Sequence, residues 1–165
     1  MVIDVRPILH TPGKRLEFRF ELDLSDLEFD GGQPISRPVS VEGEIRNTAD
    51  LLELALTART TLDAVCDRCG KAFLLEKETD WRCMLAEELQ SEESDEIVLL
   101  EDGTVDAGEL ARTAFILDMD SKTLCSEDCK GLCPRCGADL NFGPCSCKKE
   151  PDPRLAALAK LLENK

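Results

Sequence analysis

The feature that most limits what this chain can fold into is the stretch from Cys125 to Cys147, C-S-E-D-C-K-G-L-C-P-R-C-G-A-D-L-N-F-G-P-C-S-C, which holds six of the nine cysteines. Two more, Cys66 and Cys69, lie far upstream in C-D-R-C-G. That pentapeptide and the downstream C-P-R-C-G, Cys133 to Gly137, follow one template, C-x-R-C-G. Two thiolates three positions apart can bind one metal through a tight turn. A glycine after the second cysteine tolerates positive φ and lets backbone N–H groups face the sulfurs. Buried structural cysteines do not sit in polar, Gly- and Pro-rich turns at these spacings. Zinc is therefore the expected ligand, ahead of an iron–sulfur cluster or a redox-active dithiol. Cys83 differs: it alternates with Trp81 and Leu85 on an apolar strand and reads as a core residue.

Eight cysteines, Cys66, Cys69, Cys125, Cys129, Cys133, Cys136, Cys145 and Cys147, suit one or two zinc ions. One partition joins Cys133 and Cys136 to Cys145 and Cys147 as a local site and leaves Cys66 and Cys69 with Cys125 and Cys129. The other pairs the two C-x-x-C-G knuckles across space, as zinc ribbons do. In either case four thiolates close the site, which is the mark of a structural metal whose binding is folding energy. Zinc with four thiolates carries a formal charge of about −2. Arg68, Lys71, Lys130, Arg135, Lys148 and Lys149 surround the cysteines and offset it. Of these, Lys130, Arg135, Lys148 and Lys149 also make a small basic face able to meet RNA phosphate or a partner protein.

The rest of the chain is acidic, with a net charge of −14 over 165 residues. Broad adhesion to nucleic acid needs a basic surface, so that class is disfavoured while a local contact is not. The N-terminal M-V-I-D-V-R-P shows no secretion signal, and no apolar run is long enough to span a membrane. A cytoplasmic protein is expected, where thiols stay reduced and clustered cysteines mean metal more often than disulfides.

Along the chain, Leu16, Phe18, Phe20, Leu22 and Leu24 alternate with charged residues, the period-two pattern of a strand with one wet face. Val39 to Arg46 repeats it. Leu51 to Val65 reads as a long third strand with a bend or bulge near Thr60, a helix over Leu51 to Arg59 being the rival. Cys66 to Gly70 then sits at the tip of a hairpin leading into a fourth strand, Lys71 to Ala86. The run Glu87 to Glu96 is a solvated acidic loop, followed by a short strand, Ile97 to Leu100. Asp106 with Glu109 opens a helix whose stripe is Leu110, Ala114 and Leu117. Asp152 and Pro153 open a terminal helix carrying Leu155, Leu158, Ala159 and Leu162 on one face. The expected fold class is α+β: an antiparallel β meander or small barrel in residues 1–120, then a cysteine-rich zinc-binding tail and C-terminal helix in 121–165.

No catalytic constellation emerges. His10 is the only histidine, and there is no Gly-rich phosphate loop. A thioredoxin-like dithiol needs a strand–helix setting, and Cys66 and Cys69 lie between two strands.

C-S-E-D-C-K-G-L-C-P-R-C-G-A-D-L-N, the later C-S-C and D-P-R-L-A-A-L resemble the YceD family of large ribosomal RNA subunit accumulation proteins, in the branch found in Gram-positive and related bacteria. C-D-R-C-G after a long strand matches that family's upstream element. The resemblance covers most of the chain and is specific from Leu124 to Leu158. It implies a cytoplasmic, non-enzymatic factor for ribosomal RNA accumulation and ribosome assembly. Its partner would be a large-subunit ribosomal RNA precursor or a basic ribosomal protein, with no membrane and no small-molecule substrate. A zinc-stabilised protein–protein adaptor without RNA contact is the alternative.

Overall fold

Alternating apolar and charged residues build most of this molecule from hairpins. The computed structural model describes residues 1–29, 31–88 and 97–147. In chain order these form β1 (Val2–Asp4), α1 (Arg6–Leu9), β2 (Arg15–Leu22), β3 (Val39–Thr48), β4 (Leu51–Val65), β5 (Ala72–Ala86), β6 (Ile97–Leu99), β7 (Thr104–Asp106) and α2 (Ala107–Leu117). A single 3-10 turn, Leu140–Phe142, lies inside the cysteine tail. Strands β2 to β5 make an antiparallel meander, β6 adds to β5 in parallel, and β1 pairs with β7 in a separate two-stranded ribbon.

Because side chains alternate across a strand, one face of the meander is mostly apolar, with Asn47, Thr60 and Thr79 its buried polar residues. Val39, Val41 and Ile45 of β3 and Leu54, Leu56 and Ala58 of β4 are buried there. Glu42, Glu44, Arg59, Glu78 and Asp80 point the other way, and Arg59 bridges Glu42 and Glu78 across three strands. Burying an apolar residue of this size contributes roughly 1.5–3 kcal/mol, so this one face dominates the stability of the sheet.

Several expectations need correction. The sheet is open: among the described residues its edges are β2 and β6 and no ladder joins them, so it is a meander and not a barrel. The bulge expected near Thr60 is absent. The β4–β5 ladder keeps one register from Leu52 opposite Leu85 to Val65 opposite Ala72. Thr60 stays on the buried face because its hydroxyl donates to Pro38 O at 3.3 Å, which removes the cost of burying it unpaired. Leu51 to Arg59 is strand, not helix. The parallel pairing of β6 was not anticipated, since an antiparallel meander was expected throughout.

The buried face of α2 is also rotated from the expected stripe. Ala107, Ala111, Ala114 and Phe115 face the core, Leu110 is half-buried, and Leu117 is 69% exposed. Spacing of three and four residues is kept, but small residues lie against the sheet and Phe115 supplies the bulk. Asp106 caps the helix as expected, accepting from the N–H groups of Gly108 and Glu109 at 2.9 and 3.1 Å. At the other end Asp118 accepts from Thr79 Oγ1 at 2.8 Å and pairs with Lys77 Nζ at 2.9 Å. These two bonds to β5 fix the direction in which the chain leaves α2 for the cysteine tail.

No helix among the described residues is long and apolar enough to cross a membrane. The terminal helix expected from Asp152, most of the acidic run, and Lys148 and Lys149 lie outside the described residues.

Candidate metal centres

The β4–β5 register dictates the first knuckle. Val65 and Ala72 close the ladder, and the six residues between them must turn. Cys66 N–H donates to Lys71 O at 2.9 Å, and Gly70 N–H donates back to Cys66 O at 2.8 Å. The second knuckle repeats both bonds: Cys133 N–H to Ala138 O at 2.8 Å and Gly137 N–H to Cys133 O at 2.9 Å. Gly70 and Gly137 take φ of +69° and +72°. A Cβ at either would meet no atom within 4 Å, so glycine is required here for its backbone angle and not for space. The repeated sequence template is thus a repeated geometry. One copy crowns a long hairpin; the other is closed only by an isolated bridge between Leu132 and Asp139.

Eight cysteines gather into two quartets, Cys66 with Cys69, Cys125 and Cys129, and Cys133 with Cys136, Cys145 and Cys147. Within each quartet all four sulfurs lie within 4.8 Å of one another. The knuckles therefore do not share a site. In the first quartet Cys66 and Cys129 Sγ are 3.8 Å apart, and Cys69 and Cys125 Sγ 3.7 Å. Four sulfurs placed about 2.3 Å from one ion form a tetrahedron with edges of about 3.8 Å. A disulfide would need about 2.05 Å, and none of the cysteines is paired in one. The donor set and its spacing thus fit a four-coordinate metal ion in each quartet. Cys83 stands apart in the core, where burial pushes its thiol up.

The electrostatics point the same way. N–H groups of Cys125, Cys69 and Arg68 aim at Cys66 Sγ and bring its pKa down to about 6. The N–H groups of Cys136 and Arg135 do the same for Cys133, also to about 6. Burial and the neighbouring thiols push Cys125 up to about 12, and the Cys136 thiol with burial does likewise for Cys147. Each quartet accepts a first negative charge readily and resists further ones. A cation at the centre would let four thiolates coexist.

The quartets are bound to each other as well as to the sheet. Only Lys130, Gly131 and Leu132 separate Cys129 from Cys133. Arg68, read from the sequence as a compensating charge, is a strut: its guanidinium donates to Cys129 O at 2.7 Å, and its own carbonyl accepts from Leu132 N–H at 3.1 Å. Asp67 fixes the entry to the tail, donating to Thr123 O at 2.9 Å and accepting from Thr123 N–H at 2.6 Å. Asn141 was not foreseen. It lies between the cysteine pairs of the second quartet, yet its Nδ2 donates to Cys129 Sγ of the first at 3.4 Å. Its Oδ1 accepts from Lys130 N–H at 2.8 Å. The one sequence signal was the spacing of Asp139 and Asn141, polar turn residues between two cysteine pairs. Lys130 and Arg135 are exposed on this tail. So is Phe142, at 92%.

The fold and the site define a class: an open antiparallel sheet whose hairpin tip and cysteine tail together form two Cys₄ groups suited to metal. A family model described as Large ribosomal RNA subunit accumulation protein YceD matches residues 54–162, about two thirds of the chain, and takes in both quartets. The chain belongs to the YceD family. It is also similar to the uncharacterized protein Rv2926c of Mycobacterium tuberculosis and the uncharacterized protein Mb2951c of Mycobacterium bovis, at 34% identity over 73 residues in each case. Those matches cover 44% of this chain and 35% of each relative, so the chain spans about a third of the length of the curated relatives it matches. No solved structure matches the chain.

Proposed function

We propose that this protein is a non-enzymatic cytoplasmic factor that supports large-subunit ribosomal RNA accumulation and ribosome assembly by binding RNA or a ribosomal protein. Membership of the YceD family over residues 54–162 carries the reading. In it, Cys66, Cys69, Cys125 and Cys129 hold one Zn²⁺ and Cys133, Cys136, Cys145 and Cys147 another. The ions supply folding energy and the positive charge that lets four thiolates coexist. Zinc is favoured over an iron–sulfur cluster because sulfurs 3.7–3.8 Å apart close around a single ion. Residues 1–120 act as the body and 121–165 as the metal-bearing module, into which Cys66 and Cys69 reach. Lys130, Arg135, Lys148 and Lys149 face the partner.

Sedimentation of the tagged protein from lysate through a low-salt gradient, with RNA crosslinks sequenced from each fraction, tests the reading. Crosslinks to large-subunit ribosomal RNA in particles lighter than the mature subunit are expected. Co-migration that survives nuclease and leaves no crosslink favours the adaptor reading, to which the net charge of −14 lends weight. Protein found only at the top of the gradient, even after crosslinking in cells, overturns both.

A further inference from the structure

The chain has six phenylalanines. Phe18, Phe20, Phe29, Phe73 and Phe115 are buried or half-buried, as the hydrophobic effect requires. Phe142 is 92% exposed. An aromatic ring left in water contributes almost nothing to folding, so its exposure asks for another use.

The ring is exposed but its backbone is held. Phe142 ends the 3-10 turn Leu140–Phe142, whose cap Asp139 accepts from Asn141 N–H at 2.9 Å. Leu140 N–H donates to Gly131 O at 2.9 Å, and Asn141 ties the turn to Cys129 Sγ. The turn is therefore pinned to the segment joining the two quartets. Lys130 is beside it, since its N–H donates to Asn141 Oδ1 at 2.8 Å. Arg135 stands on the second knuckle, inside the loop closed by the Leu132–Asp139 bridge.

We propose that Phe142 is a base-stacking platform for single-stranded RNA, with Lys130 and Arg135 meeting the flanking phosphates. This rests on the RNA-binding side of the proposed function and gives it a contact residue. A flat ring on a pinned turn, with an exposed lysine on the segment that holds the turn and an exposed arginine in the adjoining knuckle loop, is the combination that captures an unpaired base: stacking needs a rigid π-face, and backbone contact needs nearby positive charge. A protein-docking hot spot would instead be a packed apolar cluster. Here the other large apolar side chain exposed in the described tail, Leu132, is 43% exposed against 92% for Phe142. Duplex RNA offers no unpaired base, so the site discriminates strand state more than sequence.

The test uses the full chain purified with its metal. The probes are a short fluorescein-labelled oligoribonucleotide of mixed sequence and the same strand in a duplex. Wild type should prefer the single strand. Phe142→Ala should weaken that binding about 5- to 150-fold, the effect of losing one stacked base, with metal content unchanged. Phe142→Trp should retain binding, and its indole emission should be quenched by the single strand and not by the duplex. Salt separates the contacts. Phe142→Ala should leave the slope of log affinity against log salt unaltered, whereas Lys130→Ala should make it shallower by about 0.7. Unchanged affinity of Phe142→Ala overturns the proposal. So does equal wild-type affinity for single strand and duplex. Loss of ribosomal-protein capture with RNA binding intact overturns it in favour of a protein contact. A wild type that co-sediments with large-subunit particles yet binds no single strand sinks the stacking site and leaves the ribosomal reading standing. Binding through Phe142 by a protein that never co-sediments does the reverse.

Discussion

The two cysteine quartets use one turn but stand on different foundations. The first is a tertiary clasp: Cys66 and Cys129 are 63 residues apart, Cys69 and Cys125 are 56 apart, and both Cys66 and Cys129 are buried. Its knuckle inherits a fixed position from the β4–β5 ladder. The second is local, drawn entirely from Cys133 to Cys147, and Cys136 is exposed. Among the described residues its secondary structure is one isolated bridge and one 3-10 turn, tied back to Arg68 and Gly131 by single backbone bonds. The same five-residue template can thus be preorganised by a sheet or depend on its ion. What separates the cases is the strand on either side, not the cysteines.

Complete metal removal should have the largest effect and should divide the molecule. Structural zinc sites contribute on the order of 10 kcal/mol of folding energy in isolated modules. After chelation, amides from Thr123 to Cys147 should lose hydrogen-exchange protection, while those of β3, β4 and β5 keep it. Simultaneous loss of protection in the strands would show that the sheet also depends on the ions.

Asn141 sharpens the comparison because it belongs to one quartet by sequence and serves the other by contact. Asn141→Ala should weaken metal affinity at the first quartet about 10- to 100-fold, the usual effect of removing an outer-shell partner. Competitive titration with a chromophoric chelator reads this, with Cys133→Ser as background so that only the first quartet is measured. A shift confined to the second quartet in the matching Cys66→Ser background would show the bond to Cys129 to be idle.

The two knuckle glycines should be equal in strain and unequal in consequence. Alanine at φ near +70° costs about 1–2 kcal/mol. At Gly137 that should appear as metal affinity lowered about 5- to 30-fold at the second quartet. At Gly70 the hairpin should share the cost, and thermal unfolding of the sheet should record part of it. Identical effects on metal affinity and on sheet unfolding would mean that the supporting strands do not matter.

Asp118 offers the smallest effect. The Lys77 ammonium and the Thr79 hydroxyl hold its carboxyl below the usual carboxylate range. A depressed folded-state pKa means stability present above the unfolded value, near 3.8, and lost as pH falls through the folded value. Its side chain is half-exposed, so solvent screening limits the bond to about 0.5–1 kcal/mol. Asp118→Asn should therefore destabilise the sheet by about that much at pH 7 and by nothing once the wild-type carboxylate is protonated. Thermal melts from pH 7 to pH 3 with chelator present check the sign without interference from metal loss.

Where a residue's neighbours are dictated by local period, its place was legible. Alternation from Leu16 and from Val39 marked β2 and β3, and Leu51 to Val65 coincides with β4. The knuckles were legible because C-x-x-C-G specifies both ligands and backbone angle. The buried face of α2 was not, since Ala107 and Ala111 carry little hydrophobic signal beside Leu110 and Leu117, and the sheet, not the sequence, chooses small residues for close approach. Asn141 and Phe142 carry no period. Their roles come from the neighbour across the turn, which only the folded chain supplies.

The long register of β4 has a consequence for how a partner senses this protein's charge. At about 3.3 Å per residue, the stretch from Glu53 to Val65 measures roughly 40 Å along the strand. The Debye length in physiological salt is about 8 Å. The carboxylate of Glu53, paired across the ladders with Arg46 and Met84, therefore lies several screening lengths from the cysteine tip. An approaching polyanion there meets a local field set by the groups around the tip, not the whole-chain value of −14. A boom-like hairpin lets one acidic chain carry an electrically separate end.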